Sequence, residues 1–184
     1  MIDIFSFPLI LLYSALFGFT MKTADLFDEH GMRWFKGDAF IFGLLWGFFG
    51  ILLVFSGIGI ANVTLAMILA FLVRMRLDYR NHAIASTMII IAFLWQSTFE
   101  PTIFSIFFIT FVVFGGLRDY LGDIRKKKDW LYKINEPAWY YVIPTAIYGI
   151  FSNNWTIFVI FTVYIIFYDL AKYSLFQMKK YHKL

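Results

Sequence analysis

The sequence predicts an all-α fold, a polytopic transmembrane helical bundle of about seven transmembrane helices, and three observations carry that expectation. The chain of 184 residues is 61% apolar and only 15% charged, against about 25% charge in an ordinary soluble domain. Its charged residues fall in clusters separated by long uncharged stretches. Assigned alternately to the two sides of a bilayer, those clusters place every Lys and Arg on one side. A single transmembrane domain over residues 1–184 accounts for the whole length.

The stretches give the elements in order. Ile4 to Met21 is the first span; it lacks the basic n-region and small-residue cleavage pattern of a signal peptide and reads as a retained helix. Ala39 to Val73 is uncharged for 35 residues, about 52 Å as one helix and far longer than a hydrocarbon core of about 30 Å. It must fold back, and Ser56-Gly57-Ile58-Gly59 supplies the backbone freedom for a reversal. Ala83 to Phe99 and Pro101 to Leu117 form a second hairpin broken at Glu100-Pro101, where proline at a helix start gives up an N–H that has no partner anyway. Pro137 to Tyr168 form a third, turning at Ser152-Asn153-Asn154, with Pro144 expected to kink its first half.

All 16 Lys and Arg follow the odd-numbered spans, and only Asp3 and Glu100 lie on the other side. The positive-inside rule therefore predicts a multi-pass integral protein of the cell membrane with its N-terminus outside and its C-terminus cytoplasmic. Trp34, Trp130 and Trp139 fit an inner interface belt, and Trp95 and Trp155 an outer one. The same topology explains the formal charge of +4 without nucleic acid, and Arg125 to Lys128 reads as a topology determinant against anionic lipid. No cysteine is present, which excludes disulfides and thiolate chemistry. No ionisable residue lies deep in an expected span, which argues against an ion-coupled transporter.

Ten of the 12 acidic residues share the basic face, and topology alone does not require them. Asp25 and Asp28 are three apart and share a helix face if the first helix continues beyond the membrane; Asp119 and Asp123, four apart, do the same. Carboxylates so placed repel one another unless a cation sits between them, and Mg²⁺ is typically held by one or two carboxylates together with phosphate oxygens. The loop Arg74-Met75-Arg76-Leu77-Asp78-Tyr79-Arg80 offers donors suited to phosphate. The plainer alternative is that these acids cap helix ends and pair with neighbouring bases. His30 beside Asp28 and Glu29 lacks a second histidine at helical spacing, and His82 and His182 read as headgroup-region residues.

These residues resemble the UbiA-type intramembrane prenyltransferases. Asp25-Leu26-Phe27-Asp28 is similar to the D-x-x-D portion of that family's first motif, and Asp119 to Asp123, preceded by Arg118 and followed by Ile124, is similar to its second, D-x-x-x-D. The order of motif, hairpin, basic loop, hairpin, motif, hairpin fits over about residues 10–170, the spans corresponding to the middle seven of the family's nine. The chain departs from the pattern at Ala24, where the family has asparagine, and at Met32, where it has a third aspartate. The resemblance implies transfer of a prenyl group from an isoprenoid diphosphate to a lipid or aromatic acceptor at the cytoplasmic face. It implies Mg²⁺ and diphosphate held at Asp25, Asp28, Asp119 and Asp123, with Arg74, Arg76, Arg80 and Arg118 on phosphate oxygens. Glu29 is a possible replacement ligand and Asp78 a local ion-pair partner. A non-catalytic lipid-binding or scaffolding protein of the same fold is the alternative, with a small transporter as a third reading.

Overall fold

The computed structural model describes residues 3–28, 31–96, 98–126 and 129–181, with side chains described for all of these except 136–139 and 176–181. The described residues are helical and turn, without strand. Helix α1 is Phe7–Asp28, α2 is Asp38–Phe55, α3 is Ile58–Val73 and α4 is Arg80–Gln96. Helix α5, Pro101–Asp119, continues through a π-helical turn at Tyr120–Ile124. The short α6, Trp130–Ile134, runs into a π-helical segment at Asn135–Val142, followed by α7, Ile143–Ser152, and α8, Thr156–Tyr181.

The reversals fall where the backbone chemistry puts them. Gly57, between α2 and α3, has φ 156°, a conformation that side-chain-bearing residues rarely adopt, and Asn153, after α7, is left-handed at φ 51°. Glu100 and Pro101 open α5 with the proline in its first turn. Pro144, expected to kink the first half of that hairpin, sits instead in the first turn of α7, directly after the winding changes from π-helical to α-helical. Helix α1 runs seven residues past the expected end of the first span, because Lys22 and Asp25 lie within it, buried and paired.

Among the described residues four helical stretches are long and apolar enough to cross a membrane: Phe7–Asp28, Asp38–Phe55, Pro101–Ile124 and Thr156–Leu175; Ile58–Val73 is apolar but shorter. Their outward faces carry apolar side chains such as Ile106, Ile109 and Val113 on α5 and Ile166, Phe167 and Leu170 on α8, the composition of a lipid-facing surface. The chain is thus a helical bundle of membrane type. Its centre is α1, packed between α2 and α8.

Side-chain contacts fix the helix directions. Ser14 donates to the Ile160 carbonyl and Tyr168 to Asp25, so α1 and α8 run parallel. Gly43 lies against Asn81, Gly47 against Ala85 and Gly50 against Ile89, so α2 and α4 run parallel, and the three glycines let the helices approach closely. Asn62 donates to the Thr98 carbonyl and Arg74 to Asp119, which makes α3 and α5 parallel. Phe17–Trp46 and Phe27–Phe42 contacts run oppositely in α1 and α2, as do Phe111–Tyr140 and Phe107–Tyr148 between α5 and the segment through α7. The result is an up-and-down bundle closed by α1 against α8. The C-terminal ends of α1, α3 and α5 therefore gather at the same end as the start of α4.

Candidate functional site

At that end lies a cavity of about 510 Å³, within the range that holds a small ligand. Its cationic lining is Lys22, Arg74, Arg76, Arg118 and Lys172; its carboxylates are Asp25, Asp119 and Asp123. Trp46, Phe71, Tyr140, Tyr141 and Tyr168 supply aromatic walls. The two π-helical stretches both contribute, Asp123 from the first and Tyr140 and Tyr141 from the second. Such irregular turns re-aim side chains at functional sites.

Asp25 anchors one side. It is buried near the C-terminal end of α1, with Oδ1 2.7 Å from His82 Nε2, Oδ2 3.4 Å from Lys22 Nζ and the Tyr168 hydroxyl at 3.5 Å. The other imidazole nitrogen, Nδ1, is 3.0 Å from the Arg76 carbonyl and 3.7 Å from Asp78 Oδ1. Both ring nitrogens face oxygen acceptors, an arrangement that the doubly protonated imidazole satisfies. His82 thereby ties the first aspartate motif to the backbone of the basic loop. Trp46 and Tyr79 hold its ring edge-on.

Asp119 anchors the other side. Arg74 Nε and Nη2 donate to its Oδ2 at 2.9 and 2.8 Å, a two-pronged pairing, while Nη1 donates to the Tyr140 hydroxyl at 2.6 Å. Arg76 Nη2 lies 2.6 Å from Asp119 Oδ1 and also pairs with Asp123, and Arg118 Nη1 is 3.6 Å from Oδ1. Gly115 makes room for this: a Cβ there would collide with the Arg74 guanidinium. Burial alone would lower the Arg76 guanidinium, but the Asp119 and Asp123 carboxylates outweigh it and hold the group above its ordinary value.

Six of the eight site residues expected from the sequence thus line one cavity: Asp25, Asp119, Asp123, Arg74, Arg76 and Arg118. Asp28 and Arg80 do not. Asp28 is the last residue of α1, half-buried and outside the cavity lining, and Arg80 is exposed in the first turn of α4, next to buried Asn81 and His82. His82 is a site residue where the sequence suggested only a headgroup neighbour. Glu29, His30, Lys127, Lys128 and His182 lie outside the described residues. The lining residues not anticipated, Lys22, Tyr168 and Lys172 above all, leave a trace in the spacing: Tyr164, Tyr168 and Lys172 recur every four residues along one face of α8.

The Mg²⁺ implied by the resemblance does not fit this donor set as it is arranged. Asp25 is engaged by His82 and Lys22, and Asp119 by Arg74 and Arg76; among the described residues no three His, Asp or Glu side chains gather as ligands. Asp119 Oδ1 receives no well-directed hydrogen bond, yet Arg76 and Arg118 flank it. A divalent ion bound at Oδ1 would have to displace Arg76, 2.6 Å away, and would lie against the Arg118 guanidinium as well.

The Asp25–His82 contact has a measurable consequence. Asp25→Asn and His82→Gln should each lower the unfolding free energy in micelles by about 1 to 3 kcal/mol, and the double variant should lose at least about 0.5 kcal/mol less than their sum. Strict additivity would show that the two side chains do not meet. Compared with family models, with curated proteins and with solved structures, the chain matches none, so its own geometry carries the functional reading.

Proposed function

We propose that this chain is a UbiA-like prenyltransferase of the cell membrane that binds the diphosphate of an isoprenoid diphosphate at its cytoplasmic face and transfers the prenyl group to a lipid or aromatic acceptor. One observation carries the reading: residues from both aspartate motifs and from the basic loop line a single cavity that has aromatic walls. Seven crossings, with the N-terminus outside, are part of the proposal. The alternating helix directions support an odd number, since α1 and α8 run parallel with α2, α3, α4, α5 and α7 between them, and the cationic cavity end then faces the cytoplasm.

In this reading Arg74, Arg76 and Arg118 hold the phosphate oxygens. When the allylic carbon–oxygen bond breaks, the diphosphate departs with the electron pair, and those fixed guanidinium groups stabilise the charge that develops on it. Trp46, Phe71, Tyr140, Tyr141 and Tyr168, which line the cavity, keep water from the allylic cation and offer it aromatic surroundings. An acceptor carbon or oxygen then forms the new bond and releases a proton. The paired state of the carboxylates, together with Ala24 and Met32 in the first motif, favours a second reading in which the cavity binds the lipid diphosphate without turning it over.

Two measurements test these proposals. Because the chain has no cysteine, single cysteines at Asn153 and Lys127 should label with an impermeant maleimide from opposite faces of sealed vesicles; labelling from the same face would overturn the topology. Purified protein should bind geranylgeranyl diphosphate about ten- to a hundredfold more tightly than geranylgeraniol, as expected for one or two charge-assisted contacts of about 1.5 to 3 kcal/mol. Equal affinities would overturn the diphosphate reading, and diphosphate binding without diphosphate release in the presence of candidate acceptors would select the non-catalytic one.

A further inference from the structure

We infer that the cavity binds its phosphate ligand without a divalent cation, and that Asp119 is the internal counter-ion that aims Arg74 and Arg76, not a metal ligand. The inference rests on the phosphate-binding reading above and goes beyond it in naming what neutralises the ligand. Charge comes first. Five cations and three carboxylates line the cavity, an excess of two positive charges before His82 is counted. A terminal diphosphate carries roughly −2 to −3 near neutral pH, given a last ionisation near 6. Cationic side chains outnumber carboxylates in the lining, so the ligand's charge meets positive charge from the protein itself, without a divalent ion to supply it.

The carboxylates are also committed elsewhere. Asp119 Oδ2 accepts both Nε and Nη2 of Arg74, whose side chain is only 6% exposed, and Oδ1 faces Arg76 Nη2 at 2.6 Å. An ion bound at Oδ1 would sit at about 2.1 Å from it, in the space Arg76 occupies. Asp25 is likewise held by His82, Lys22 and Tyr168. The seat for Arg74 is built into the backbone: Gly115 leaves the space that the guanidinium fills, and Tyr140 both accepts a hydrogen bond from Nη1 and lies under the cation, 5.4 Å from ring centroid to Cζ. Those contacts orient an arginine toward an anion and leave Asp119 holding it there. The ligand chemistry is a lipid-borne phosphate or diphosphate, from an isoprenoid or from a phospholipid headgroup.

The test measures binding of geranylgeranyl diphosphate, geranylgeranyl monophosphate and phosphatidic acid to the full chain in nanodiscs, each in EDTA and in Mg²⁺. The affinity for the preferred ligand should differ less than threefold between the two media, and the preference identifies its source. Arg74→Gln should weaken binding ten- to a hundredfold in both, and Asp119→Asn should weaken it at least threefold in EDTA, because a loosened Arg74 no longer aims at the ligand. Arg76→Gln, at a half-exposed position, is the second variant should Arg74→Gln not fold, with the same direction expected. Binding more than tenfold weaker in EDTA, with Asp119→Asn removing only the Mg²⁺-dependent increment, would overturn the inference and leave the phosphate reading standing. Failure of all three ligands in both media would overturn that reading as well.

Discussion

Charge inside an apolar bundle has to be neutralised where it sits, and the Arg74–Asp119 pair is where this chain meets that demand most fully. An unpartnered ion at either position would cost several kcal/mol, so the end of α3 and the end of α5 are locked together by their own electrostatics. Gly115, Tyr140 and Phe71 complete the enclosure around the guanidinium. Once α3 and α5 are joined there, Arg76 is brought within reach of Asp119 and Asp123, and the basic loop becomes one wall of the cavity.

The second tie works through His82. Its imidazole connects Asp25 on α1 to the carbonyl of Arg76, so the central helix, the basic loop and the second aspartate motif form one chain of contacts. Tyr168 and Lys172 bring α8 to the same place, and Tyr141 and Tyr164 meet edge to face beside it, with ring centroids 5.2 Å apart. Parallel packing of α1 with α8, of α2 with α4 and of α3 with α5 is what puts these ends together. A bundle with one reversal fewer would send Lys172 to the opposite end from Asp25.

Much of this was legible in the sequence, for reasons that belong to backbone chemistry. Gly57, Asn153 and Glu100-Pro101 mark reversals because few residues tolerate the required backbone or begin a helix so well. Asp25, Asp119, Asp123 and two of the three loop arginines marked the cavity, since charge at a helix end needs a partner or a ligand, whereas the Asp25/Asp28 spacing carried only its first member there. What was not legible follows from packing. The side that His82 faces depends on where α4 begins its winding, which the run Asp78-Tyr79-Arg80-Asn81 does not fix. Tyr140 and Tyr141 lie among many aromatics, and their aim is set by a π-helical stretch with no sequence signature. The extension of α1 to Asp28 depends on Lys22 and Asp25 finding partners on α4 and α8, which only the assembled bundle supplies.

The convergence of the basic loop with the second aspartate motif is the central claim, and proximity measures it directly. With no native cysteine in the chain, the pair Arg76→Cys and Asp123→Cys can be joined by a short bis-methanethiosulfonate reagent in membranes. Since the two native side chains touch, the pair should cross-link efficiently within one chain, whereas Arg80→Cys with Asp123→Cys should not. Absent cross-linking of the first pair, or equal yields from both, would contradict a shared cavity.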